Sequence, residues 1–143
     1  MKTRFSPILK LKLSEVNKIE LEIKEVGNLI FAKKQEIEAL HKHISEFTPP
    51  DTQEYRKFLA FREMISNLRE KIKEENSFLA MLESRKIDTI KRYDKAKIEY
   101  EKINYLHLKE AQDLLKKAQR RESLEQDELA SIKYIAQKRA QEV

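Results

Sequence analysis

The chain has 143 residues, 38% of them charged, with 30 basic and 25 acidic groups giving a net charge of +5, one glycine, three prolines, and neither cysteine nor tryptophan. Its mean hydropathy is −0.74. So few turn residues exclude an ordinary globular fold, the lack of cysteine excludes disulfide staples and thiolate chemistry, and the frequent, regularly spaced Leu, Ile, Val and Phe exclude disorder. A long helix or coiled coil built as a single extended element remains.

The first helix is predicted to open at Ser6-Pro7, where the Ser hydroxyl can cap and a proline in the first turn sacrifices no hydrogen bond. From there an apolar residue recurs every seven positions: Leu9, Val16, Ile23, Ile30, Ile37 and Ile44. The companion position reads Phe5, Lys12, Ile19, Val26, Lys33, Leu40 and Phe47, so eleven of thirteen sites are apolar and two lysines are the only breaks. That is a coiled-coil seam, expected to span residues 6–47. Thr48-Pro49-Pro50-Asp51 ends it, because neither proline donates to a helix and each pushes its predecessor into extended backbone. Asp51 with Glu54 has the pattern of a capping box, restarting a helix near residue 52.

The second helix, expected to run to about residue 140, carries a seam of Phe58, Phe61, Ile65, Leu68, Ile72, Leu79 and Leu82. Beyond Leu82 the stripe is read as shifting phase through Ile90, Tyr93, Ala96, Tyr100 and Ile103. At 1.5 Å per residue the arms are about 65 Å and about 130 Å long. Folding back about the Pro-Pro turn pairs Ile30 with the neighbourhood of Ile72 and Leu9 with that of Tyr93, so the first helix runs out near residue 96 and residues 97–143 overhang. Ser123-x-x-Gln126 suggests a kink near Arg120–Ser123. The expected fold is therefore all-α, a long antiparallel two-helix coiled-coil hairpin with an overhanging C-terminal helix, forming one element over residues 1–143.

Function classes narrow in the same way. One glycine cannot build a phosphate-cradling loop, and Gly27, mid-helix beside Val26, reads as a site of close helix packing. His41-x-His43 point to different sides of a helix and have no third ligand, so neither metal nor cofactor is expected. No residues pair a nucleophile with a base, which argues against an enzyme. Residues 1–47, 48–98 and 99–143 carry net charges of +2, +3 and 0 with acids and bases interleaved, a solvated surface rather than a nucleic-acid footprint. Lys10 and Lys12 interrupt any leader-like apolar run, no stretch has transmembrane length, and a cytoplasmic address is expected. Lys116, Lys117, Arg120 and Arg121 form the densest basic patch, suited to a solvated face near a helix end, to an acidic protein surface or to phosphate. Leu21, Leu29, Phe31, Leu59, Met64, Phe78 and Met81 lie off the seams, and a two-helix hairpin has nowhere to hide them all, which points to missing partners.

The Phe5-x-x-Ile8-Leu9-x-Leu11 opening, the Phe61-x-x-Met64-Ile65-x-x-Leu68-x-x-x-Ile72 block and Asp127-Glu128-Leu129-Ala130 resemble the FliJ family, small coiled-coil proteins of the bacterial flagellar type III export apparatus. The resemblance extends over the whole layout of a shorter helix, one turn and a longer helix. It implies a non-enzymatic stalk like that of rotary ATPases, with three partners: a ring-forming export ATPase, the cytoplasmic domain of the export gate, and export chaperones. On that analogy Phe5, Ile8, Leu9, Lys116, Lys117, Arg120, Arg121 and Leu129 are expected to contact the ATPase ring. Phe31, Leu59, Met64, Phe78 and Met81 are expected to form the surface for the gate or another partner. The residues alone also leave open a structural, self-associating coiled coil or a basic coiled-coil nucleic-acid binder.

Overall fold

In a computed structural model, which describes residues 2–50 and 54–142, the seven-residue repeats become two long helices packed against each other as an all-α hairpin. Helix α1 spans Ser6–Glu46 (41 residues) and α2 spans Tyr55–Gln141 (87 residues). Among the described residues no helix is long and apolar enough to cross a membrane. Helix α2 continues without interruption through Arg120–Ser123, where a kink was expected. Asp51, the expected cap of the second helix, lies outside the described residues, and α2 begins at Tyr55 rather than at 52. By proximity the chain divides into two units, Ser14–Lys97 and Met1–Leu13 with Ile98–Val143.

In the Ser14–Lys97 unit, Val16, Ile19, Val26, Ile30 and Ile37 of α1 are buried, as their repeat dictates. On α2 the residues withdrawn from solvent are Phe61, Ile65, Leu68, Ile72, Glu75, Leu79, Leu82, Lys86, Thr89, Tyr93 and Ala96, at alternating spacings of four and three. The expected phase shift after Leu82 does not occur. Thr89 is in the seam at 4% exposure while Ile90 is 38% exposed. Thr89 is tolerated there because its hydroxyl donates to the Arg85 carbonyl at 2.8 Å, so no polar group is stranded.

The register also differs from expectation. Val26 and Ile30 pack with Leu82 and Leu79, not with Ile72, and Lys33 meets Glu75. Counting thirteen residues on from Lys33 and thirteen back from Glu75 places Glu46 level with Arg62. Tyr55–Phe61 therefore project past the end of α1. Among the described residues 47–50 are not helical, and proline-held extended backbone advances about 3.3 Å per residue against 1.5 Å in a helix, so this segment carries the chain on past Glu46. Phe58, expected opposite the α1 seam, has no α1 residue at its level and is 47% exposed. Leu79→Ala should accordingly cost about 2 kcal/mol or more, whereas Phe58→Ala should cost less than about 1 kcal/mol. Urea unfolding of the two variants checks this, and equal costs would restore the expected register.

Gly27 is not a point of close packing, since a Cβ built there meets nothing within 4 Å. Its neighbour Val26 is instead the one fully buried large side chain among the described residues.

In the other unit, α1 is capped by Thr3 rather than by Ser6. The Thr3 hydroxyl accepts from the Phe5 N–H at 3.2 Å, and the Ser6 hydroxyl accepts from the Thr3 N–H at 2.9 Å. This reciprocal pair satisfies two amides that the first turn leaves without helical partners. Pro7 follows in the first turn, and the Thr3 carbonyl that its missing N–H would have met accepts instead from the Ser6 N–H at 3.1 Å.

Residues 3–12 lie along residues 99–110: Lys12 Nζ is 3.2 Å from Glu99 Oε2, Thr3 Oγ1 is 2.7 Å from His107 Nδ1, and Arg4 Nε is 3.5 Å from Glu110 Oε2. Leu9 is therefore not level with Tyr93, and the first helix does not run out of partner near residue 96. Tyr100, Ile103, His107, Glu110 and Ala111 are withdrawn from solvent, and every described residue from Gln112 to Glu142 is exposed. The unpartnered stretch begins at Gln112 rather than at residue 97.

Candidate partner-binding surfaces

The two lysines that break the α1 seam are answered from α2. Lys33 Nζ lies 2.6 Å from Glu75 Oε2 and 3.0 Å from Glu36 Oε2, with side-chain exposures of 19% for Lys33 and 23% for Glu75. The ammonium also sits 4.8 Å from the centre of the Phe78 ring. Its pKa is raised above the ordinary 10.5, chiefly by the hydrogen bond to Glu75 and next by that to Glu36, against a smaller opposing effect of burial. Lys12 and Glu99 form the corresponding pair in the other unit. Charged pairs at single seam positions select one register, because any slip leaves each charge against an apolar neighbour. The sequence reading missed Glu75 and Glu99 because they look like surface acids. Continuing the four-three spacing from Ile72 through Glu75 would have found the first.

Of the residues expected to meet an ATPase ring, the structure brings two together. Phe5 and Lys117 line one groove of about 420 Å³ with Arg4, Leu106, Glu110 and Leu114. Leu9 occupies the seam, and Ile8 faces outward from the first turns of α1 at 44% exposure. Lys116, Arg120, Arg121 and Leu129 are exposed along the unpartnered stretch of α2.

The five residues expected to form a partner surface are all exposed. They do not share one face. Met64, Phe78 and Met81 each precede a seam residue of α2 and lie on one flank of that helix, whereas Leu59 follows the heptad position of Phe58 and lies on the other. Phe31 follows Ile30 on α1. Of the five, Phe78 alone has a described ring contact, its stacking on Lys33. Among the described residues no group of three or more His, Asp or Glu is placed to hold a metal ion. His43 instead packs edge-on against the Phe47 ring at 4.7 Å.

No curated protein and no solved structure matches the chain. The sequence model of one family, described as Flagellar FliJ protein, matches residues 1–139. A match that runs through both helices and the turn between them covers the hairpin from its N-terminal cap almost to the end of α2, and the chain belongs to the FliJ family.

Proposed function

We propose that this flagellar export component is a non-enzymatic, rotor-stalk-like coiled coil that works at the cytoplasmic face of the export apparatus. It binds the export ATPase ring, couples it to the cytoplasmic domain of the export gate, and meets the chaperones that deliver substrates. The observation that best supports a stalk is the stretch Gln112–Glu142. It stays helical as far as Gln141 with every described side chain exposed, although isolated helices are marginal without a packed face. Leu114, Leu115, Leu129, Ile132 and Ile135 keep an apolar stripe there, mixed with Lys116, Lys117, Arg120 and Arg121. Such a segment suits insertion into a ring pore, where apolar burial and charge contacts would complete it. The Phe5 groove beside Lys117 supplies the adjoining N-terminal contact. The exposed Phe31, Leu59, Met64, Phe78 and Met81 remain for the gate and chaperones, reached from more than one side of the hairpin.

Affinity capture with the full chain tests this reading. An export-type ATPase should be retained, and replacing Lys116, Lys117, Arg120 and Arg121 by Glu should weaken retention about tenfold or more while helicity is unchanged. Retention of the gate domain but not the ATPase by the parent chain would remove the ring from the proposal.

A further inference from the structure

The stretch from Gln112 to Glu142 holds seven basic and six acidic residues, and their order is blocked rather than alternating. Lys116, Lys117, Arg120 and Arg121 are followed directly by Glu122, Glu125, Asp127 and Glu128. Neither block has a described ion pair with the rest of the chain, and all eight side chains are exposed on one continuous helix. A parallel neighbour of the same sequence would set like charges together. An antiparallel copy related by a two-fold axis near Glu122 sets each basic block against the other copy's acidic block, with Arg120 level with Glu125 and Lys117 level with Glu128. The same superposition brings Leu114 and Leu115 of one copy level with Ser131 and Ala130 of the other, between its Leu129 and Ile132. The three leucines and Ile132 are exposed apolar residues in search of cover. A nucleic-acid partner fits poorly, because four acidic residues between 122 and 128 interrupt the basic face.

We infer that, in the absence of other partners, residues 112–142 self-associate antiparallel with a second copy of this chain, basic block on acidic block. Two-fold pairing of one patch with itself is the common closed arrangement of homodimers. Individual exposed ion pairs contribute little, but here two symmetric sets act together with the apolar stripe. The dimer hides the residues that a ring or any other partner would need, so partner binding competes with it. The inference concerns the free protein and needs no export component.

Sedimentation equilibrium of the full chain, at low and high salt, is the test. The parent should be in monomer–dimer equilibrium, with dimer favoured at low salt because surface charge pairs are screened as ionic strength rises. A basic-block variant (Lys117→Glu, Arg120→Glu, Arg121→Glu) and an acidic-block variant (Glu125→Lys, Asp127→Lys, Glu128→Lys) should each raise the dimer Kd about tenfold or more while circular dichroism stays helical. Mixed in equal amounts, the two variants should dimerise again, since every reversed block then meets an opposite charge. The chain has no cysteine, so Ser123→Cys and Ala140→Cys admit single nitroxide labels. Paired labels should lie close at position 123 and about 50 Å apart at position 140. A monomeric parent at low salt, dimerisation unaffected by either variant, or short label distances at both positions would each overturn the inference. So would a monomeric parent that retains nucleic acid through the basic block.

Discussion

Val26→Asp should unfold the Ser14–Lys97 pairing outright. Val26 is 1% exposed and packs with Ile30, Leu79 and Leu82. A carboxylate there has no cation to meet and no water to solvate it. An uncompensated buried charge costs about 3–5 kcal/mol, a large part of the whole stability of a small domain. A two-helix coil has no second layer of core to hold it while one seam position fails, so loss of the far-ultraviolet helical signal and of cooperative melting should coincide. Ile37→Asp, further along the same seam, should behave in the same way because Ile37 is also buried. Leu21→Asp on the exposed face should melt close to the parent. If Val26→Asp retained the parental melt, the packing of α1 on α2 described above would be wrong.

The second large effect is a charge swap. Lys33→Glu places a carboxylate against Glu75 and Glu36, and Glu75→Lys sets two ammonium groups together in the seam. Each single variant should lower Tm by several degrees, and the double swap should recover most of the loss, because the pair is restored in the opposite sense. The parent should show a matching pH dependence. Lys33 is held above its ordinary pKa of 10.5 by Glu75 and then Glu36, so its stabilising contribution is complete below pH 10.5. It is lost as the pH climbs through the raised native value, where the folded state too gives up the proton. The Lys33→Met variant should lack that alkaline component in a series of melts at increasing pH.

How much was legible in the sequence follows from where the apolar repeat was unambiguous. Helix α1 could be read nearly to the residue, because an aliphatic residue or Phe marks each turn of its seam apart from Lys12 and Lys33. The turn was equally plain, since two consecutive prolines admit no helix. The α2 register was not. It depends on how far the chain travels between Glu46 and Tyr55, a stretch whose sequence carries no heptad pattern. Following apolar residues alone led from Leu82 to Ile90, whereas the helix keeps its phase through Lys86 and Thr89. The two lysines looked like flaws until Glu75 and Glu99 were seen opposite them.

For the candidate surfaces, exposure of the off-seam residues was readable because two helices have only one inner face. Their split between flanks follows from heptad position and was equally available. The meeting of Phe5 with Lys117 was not, since it rests on the register that places residues 3–12 along residues 99–110.

The central claim is that the exposed part of α2 is what engages the export ATPase. It is tested by titrating the ATPase activity of the cognate enzyme with the full chain and with a truncation ending at Ala111. That truncation keeps Glu99, His107 and Glu110, the partners of Lys12, Thr3 and Arg4, and removes only the Leu114 and Lys117 side of the Phe5 groove, so the helices stay paired. The full chain should stimulate turnover or ring assembly, and the truncation should fail to do so at any concentration while its thermal melt stays close to that of the parent. Equal stimulation by both would contradict the account and move ring engagement to the paired part of the hairpin.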